Sequence, residues 1–235
     1  MQNYRTIFIG DVQGCYDELK LLIKKLKLKK NDKVYFVGDL INRGPKSYKV
    51  LKYLYKNKYR FTSIKGNHEL NFLNWLKGEK YSDNKQLKKL KNKIEEHKKN
   101  YLIKYIEGLP LFIEEEHFIL IHGGLIPNKK LEDHTEQEIT NIREFNGKPW
   151  YEYYKGNKPI IYGHRAESGL QIRKKTKGLD SGCVYGKALT AYILETGEVI
   201  QQNSLECYVD LYKGNNNLFK KVQNIFQKNI GKQKK

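Results

Sequence analysis

The chain is predicted to be an α/β protein, and three observations carry that prediction. Short apolar runs recur along it, several end in Gly followed by Asp, Asn or His, and stretches with apolar residues at helical spacing follow the first of them. A repeated order of strand, polar motif and helix is the pattern of an α/β fold, which gathers its chemistry where strands end.

The elements follow in order. Residues 4–10 (YRTIFIG) read as a buried strand. Residues 16–30 place Leu19, Leu22, Ile23 and Leu26 on one helical face. Residues 33–38 (KVYFVG) are β-branched and aromatic, a second strand, and 46–57 form a helix through Val50, Leu51, Leu54 and Tyr55. Residues 59–65 alternate as a third strand ending at Gly-Asn-His-Glu. The stretch 69–106 is mostly helical, with Leu73, Leu76, Leu87, Leu90 and Ile94 as core positions. Its Lys-rich part, about 77–100, is expected to be a solvated helical cap. Strands are expected at 117–122 and 158–163, with a polar, partly helical stretch at 130–146 between them. The last third alternates strand and turn at 169–173, 183–194 and 198–203, with Thr196-Gly197 as a hairpin turn. No repeat or linker interrupts this, so one domain is expected over 1–217, followed by a basic tail at 218–235.

Composition bounds the function. The 235 residues are 39% hydrophobic and 30% charged, a globular balance with material for a core. No run of about 18 apolar residues occurs, so a membrane span is not expected. The opening MQNYRTIFIGD lacks the basic and apolar regions of a secretory signal, which points to a cytoplasmic protein. Three cysteines, Cys15, Cys183 and Cys207, show no CxxC spacing and suit small buried or semi-exposed fillers. The net charge is +19, yet it rests on 39 Lys and 6 Arg. Nucleic-acid readers favour the Arg fork, so nucleic acid is not the favoured partner. A positive field would instead steer an anionic substrate inwards.

Five strand ends carry the chemistry: Gly10-Asp11-Val12-Gln13-Gly14, Gly38-Asp39, Gly66-Asn67-His68-Glu69, His122-Gly123-Gly124 and Gly163-His164. Gly allows a sharp turn and close approach of a ligand. Mixed oxygen and nitrogen donors without thiolate fit Mn²⁺, Fe, Zn²⁺, Co²⁺ or Ni²⁺.

This series, GDVQG, GDLINRG, GNHE, HGG and GH, resembles the calcineurin-like metallophosphoesterases in their phosphoprotein-phosphatase branch. The resemblance spans 10–164 and, with GLDSGCVYG at 178–186, nearly the whole chain. Gln13 stands where that branch has His, and Asn42 where it has Asp. Both changes are similar to the bacterial symmetrical diadenosine tetraphosphatases, although this chain is short for that group and has NHE where the group has NHD.

The resemblance implies a four-layer sandwich of two mixed β-sheets flanked by helices, and two divalent metal ions, Mn first. It implies Asp11 and Gln13 at the first metal, Asp39 bridging, and Asn67, His122 and His164 at the second. His68 would protonate the leaving oxygen, supported by Asn42. Arg43 would clamp phosphate oxygens, with Arg143 and Arg165 as further substrate contacts. The implied reaction is hydrolysis of a phosphoanhydride or phosphoester, with diadenosine tetraphosphate cut to two ADP. The alternatives are a serine/threonine phosphoprotein phosphatase and, more weakly, a polyanion-binding protein with a degenerate metal site.

Simpler readings compete at single positions. Asp11 could be only a helix cap, Asn42 only a turn residue and Arg143 only half of a surface ion pair. His97, His117 and His134 stand outside every motif. Trp150, Tyr151, Tyr153 and Tyr154 read as core before they read as a base-stacking platform. Asp180 is a candidate partner for a ligand histidine.

Overall fold

The computed structural model describes residues 4–80 and 85–210. The elements run β1 (Thr6–Ile9), α1 (Tyr16–Leu26), β2 (Lys33–Phe36), α2 (Ser47–Lys56), β3 (Phe61–Ser63), α3 (Asn67–Leu76), α4 (Lys85–Glu96), α5 (Tyr101–Glu107), β4 (Ile113–Glu114) and β5 (Ile119–Leu120). They continue through α6 (Glu136–Asn141), β6 (Glu144–Phe145), β7 (Lys148–Pro149), β8 (Ile160–Tyr162), β9 (Gln171–Ile172), β10 (Thr176–Gly178), β11 (Ala188–Ile193) and β12 (Val199–Asn203).

Two mixed five-stranded sheets result, in the orders β12-β11-β1-β2-β3 and β4-β5-β8-β10-β9. In the first, β1, β2 and β3 are parallel, β11 runs against β1, and the edge strand β12 runs against β11. In the second, β5, β8 and β10 are parallel, and β4 and β9 are antiparallel edges.

Period-two alternation places the sheets face to face. Phe8, Tyr35 and Val37 point into a shared core with Phe118, Leu120, Ile161 and Leu179. Phe8 meets Phe118 edge-on with ring centroids 4.8 Å apart. Their neighbours Ile7, Ile9, Val34 and Phe36 face the other way, into a larger core with Leu19, Leu22, Val50, Leu51 and Leu54 of α1 and α2. Leu87, Leu90 and Ile94 of the Lys-rich α4 join that core. The outer face of the second sheet packs Ile121, Ile160 and Tyr162 against Ile139 of α6 and Trp150. Helices, two mixed sheets and a thinner helical cover give the expected four layers.

Several boundaries differ from expectation. Helix α1 stops at Leu26, where Lys27 takes φ 45° and closes the helix with its N–H on Lys24 O. The strand expected from 183 begins at Ala188. Residues 182–187 fold into tight turns instead, with Tyr185 N on Gly182 O at 3.0 Å and Gly186 N on Cys183 O at 3.1 Å. Strand β10 and the β6–β7 hairpin carry no clear apolar alternation and were not expected. The Thr196-Gly197 turn forms, with Gly197 at φ 71° between the paired β11 and β12. The expected tail at 218–235 lies outside the described residues.

Candidate active site

The carboxyl ends of the parallel strands of both sheets meet on one rim, and the sequence motifs fall there. Asp11 follows β1, Asp39 follows β2, Asn67 and His68 open α3 after β3, His122 follows β5 and His164 follows β8. Gly38 (φ 94°) lets Asp39 turn: a Cβ there would come within 2.6 Å of Gly66 N and 3.0 Å of His122 Nδ1. A Cβ on Gly163 would collide with the Asp11 carboxylate.

Backbone strain concentrates at the same rim. Nine non-glycine residues have positive φ among the described residues, and five belong to the motifs: Gln13 (43°), Asp39 (48°), Asn42 (75°), Arg43 (54°) and His164 (66°). Left-handed backbone costs an ordinary residue roughly 1–2 kcal/mol, so the surrounding packing must hold each of these turns.

The side chains converge. Asp39 Oδ1 lies 3.3 Å from His122 Nε2, and Asp39 Oδ2 lies 3.5 Å from His68 Nε2. Asn67 Oδ1 is 3.0 Å from His122 Nε2 and 2.8 Å from His164 Nδ1. Asp11 accepts the His164 N–H at 3.2 Å, and Gln13 Nε2 donates to Asp39 Oδ2 at 3.3 Å. Asp39, His122 and His164 each offer a ligand atom, all within 4.8 Å of one another. Asp11 caps no helix: α1 begins after Cys15 without a side-chain cap.

His122 faces acceptors on both ring nitrogens, Val37 O at 2.8 Å from Nδ1 and the Asp39–Asn67 pair at Nε2. Burial opposes its charge, but Asp39 outweighs this and raises it to about 10. A divalent cation would replace the Nε2 proton while Val37 O keeps the ring oriented, so the donor set fits a metal. Burial also opposes ionisation of Asp39, but His122, His68 and His164 hold its carboxyl well below the usual range. Asp11 is pushed up by burial and by Asp180.

His68 is oriented by Asn42, whose Nδ2 sits 3.0 Å from Nδ1. With the amide donating, Nδ1 accepts and the proton resides on Nε2. That Nε2 is buried and makes no hydrogen bond. Burial lowers His68 to about 4, so the ring is neutral near pH 7.

The three arginines differ. Arg43 sits over the Tyr185 ring, 5.4 Å from its centroid. Arg143 pairs with Glu167 at 3.0 Å and is 45% exposed. Arg165 binds Glu144 at 2.9 Å and Arg143 O at 3.3 Å. His117 is exposed, His97 stacks on Tyr48, and His134 is buried between Ile126 N and Lys130 O.

Two residues need correction or addition. Asp180, at the end of β10, binds no ligand histidine; its Oδ1 accepts from Gly182 N at 3.1 Å. Burial raises it to about 6 beside Asp11 and Asp39. Glu69 is the residue that the motif reading left without a role. Its fully buried carboxylate accepts four backbone N–H groups, from Leu40 (2.9 Å) and Ile41 (3.2 Å) on Oε1 and from Asp39 and Gly66 (both 2.8 Å) on Oε2. The available signal was a carboxylate three residues after Gly66, at the N3 position of α3.

The calcineurin-like phosphoesterase family model matches residues 4–216. An asymmetrical bis(5'-nucleosyl)-tetraphosphatase from Oceanobacillus iheyensis is 30% identical over 233 residues, covering 86% of this chain and 93% of its own. A symmetrical bis(5'-nucleosyl)-tetraphosphatase from Methylobacillus flagellatus is 26% identical over 262 residues, covering 83% and 94%. A solved candidate diadenosine tetraphosphatase superposes with TM-score 0.73 and 28% identity, covering 86% and 94%. A serine/threonine phosphatase from Saccharomyces cerevisiae shares the fold at TM-score 0.58 and 18% identity.

Proposed function

Because the chain belongs to the calcineurin-like phosphoesterase family, and so is a hydrolase of phosphoester or phosphoanhydride bonds, we propose that its substrate is a dinucleoside polyphosphate, cleaved symmetrically to two nucleoside diphosphates. The reaction class rests on one observation above all: buried Asp39, His122 and His164 turn ligand atoms toward one another across the join of the two sheets. The substrate class is supported by relatives named for bis(5'-nucleosyl)-tetraphosphate hydrolysis that this chain covers almost end to end.

Asp11, Gln13, Asp39, Asn67, His122 and His164 would hold two divalent cations, and their oxygen and nitrogen donors suit Mn²⁺, Fe, Zn²⁺, Co²⁺ or Ni²⁺. When bound, such a pair neutralises phosphate charge and lowers the pKa of water so that hydroxide forms near neutral pH. The chain's own residues do the rest. Asp39, held well below the usual carboxylate range, remains an anion throughout. Gln13 offers a neutral amide oxygen. His68 presents its Nε2 proton to the leaving oxygen while Asn42 fixes the tautomer. A nucleoside diphosphate leaves readily, so a neutral imidazole beside an amide suffices where an alkoxide would need a stronger acid. Arg43, free of carboxylate partners among the described residues, binds phosphate oxygens bidentately. Arg143 and Arg165 would join only after exchanging Glu167 and Glu144 for substrate.

A second reading has a specific observation behind it: the relative at 30% identity, of nearly this length, is named asymmetrical. Chromatography of the products from diadenosine tetraphosphate with Mn²⁺ separates the two. Two ADP supports symmetrical cleavage, and AMP plus ATP supports the second reading. No turnover, with dephosphorylation of a phosphoserine peptide, would replace both by a protein phosphatase. Mn²⁺-dependent turnover of p-nitrophenyl phosphate would discard the polyanion-binding reading.

A further inference from the structure

A cavity of about 250 Å³ opens beside the loop that follows His122, walled by Leu125, Ile126, Trp150, Tyr153 and Tyr154, with Lys155 at its edge. It falls just below the roughly 300–1,000 Å³ range of small-molecule pockets, a size for one heterocycle rather than a whole dinucleotide. Trp150 is its floor: 2% exposed, it packs on Tyr162 with centroids 5.2 Å apart and edge-on to Tyr151 at 5.9 Å. Tyr153 and Tyr154 are half-buried: Tyr153 meets Phe145 edge-on with centroids 5.5 Å apart, and Tyr154 is anchored by its hydroxyl on Lys158 O at 2.7 Å.

The cavity is tied to the candidate metal ligands by short covalent and hydrogen-bonded paths. Gly124, two residues after His122, lies directly against the Trp150 ring, where a Cβ would collide with the indole. On the other side, Arg165 follows His164, and its guanidinium donates to Arg143 O at 3.3 Å. The same carbonyl accepts from Trp150 N at 3.2 Å. One peptide carbonyl therefore links an arginine at the catalytic rim to the cavity floor.

We propose that this cavity is the subsite for one nucleobase of the substrate, held by stacking on Tyr153 and Tyr154 while the phosphates extend past Arg165 to the metal ligands. This rests on the dinucleotide reading of the site. Aromatic walls recognise the π-face that every base presents, and Lys155, also lining the cavity, adds a positive charge for an adjoining phosphate. The earlier reading of this aromatic cluster as core is thus divided. Trp150 is core, Tyr151 and Tyr154 pack against it, and Tyr153 stands outside that cluster.

The test has two arms. In the first, kcat/KM is measured for diadenosine tetraphosphate and for p-nitrophenyl phosphate, which has no base, in the Mn²⁺-loaded wild type and in Tyr153→Ala. The ratio of the two values should fall roughly tenfold or more, the usual scale of a lost base stack. In the second, saturation-transfer NMR reads binding of adenosine, which carries no phosphate and does not need the metal site. Its signal should be present with wild type and lost with Tyr153→Ala. Should Tyr153→Ala fold poorly, Tyr153→Leu keeps the apolar packing but not the stacking face. Equal loss on both substrates, or adenosine binding unchanged by the substitution, overturns the subsite. If diadenosine tetraphosphate is not turned over but adenosine binding is lost on substitution, the subsite stands and the dinucleotide reaction falls.

Discussion

Glu69→Gln isolates the group that shapes the bridging position. In the wild type each carboxylate oxygen accepts two backbone N–H groups, at distances from 2.8 to 3.2 Å. The amide keeps one oxygen and turns an NH₂ toward two N–H donors, so two of the four bonds are lost and their donors are left buried. A hydrogen bond to a charged group is worth about 1.5–3 kcal/mol, giving roughly 3–6 kcal/mol for two. Part of this is offset because the neutral amide escapes the burial penalty that raises Glu69 to about 7. The net expectation is a loss of roughly 2–4 kcal/mol, or a fall in Tm of roughly 5–15 °C for a chain of this size. Thermal unfolding followed by circular dichroism measures it. Mn²⁺ titration calorimetry should show weaker binding as well, because Asp39 N and Gly66 N fix the backbone that carries Asp39 and Asn67. A Tm within roughly 2 °C of wild type, with an unchanged titration, would refute the claim that this carboxylate holds the site.

Asp39→Asn should leave the fold intact, since the side chain stays isosteric, yet lower Mn²⁺-dependent hydrolysis of p-nitrophenyl phosphate by roughly 10³-fold or more; retained activity would remove Asp39 from the bridging role. Gln13→His should tighten Mn²⁺ binding, imidazole being the stronger donor, and identical titrations would argue that Gln13 is not a ligand. Asp32→Asn tests the base of the first sheet. Burial opposes ionisation of Asp32, but Arg5 (Nη2 at 2.6 Å) and the Lys29 N–H (2.7 Å) hold its carboxyl below the usual range. Its folded pKa is therefore depressed, so the stabilisation is present above the unfolded pKa of roughly 4 and fades as pH falls through the folded value. The substitution should cost about 1–3 kcal/mol in urea unfolding at pH 7, with the gap closing toward pH 2. A gap independent of pH would contradict the ion-pair account.

The sequence alone determined the α/β class, the order of the main strands and helices, and the residues that meet on the rim. These are legible because they depend on near neighbours. Alternation in TIFI and KVYF decides which side chain faces which layer, and Gly before Asp11, Asp39 and His164 permits the turn at each strand end. Asp11, Gln13, Asp39, Asn67, His122 and His164 come together where these strands end. What only the tertiary structure decided depends on partners far along the chain. Glu69 reads as an ordinary helix-start acid until the loop after β2 brings the N–H groups of Asp39, Leu40 and Ile41 beside it. Asp180 enters the rim because β10 pairs with β8, which its own three residues do not announce. Arg143 and Arg165 look alike as phosphate clamps in the sequence, yet folding gives each a carboxylate partner and leaves Arg43 without one among the described residues. The left-handed turns at Gln13 and Arg43 could not be foreseen either, because local propensity opposes them, whereas Asp39, Asn42 and His164 are residue types that tolerate that backbone. Packing across the two sheets supplies the energy that holds them, and that energy exists only once the layers have met.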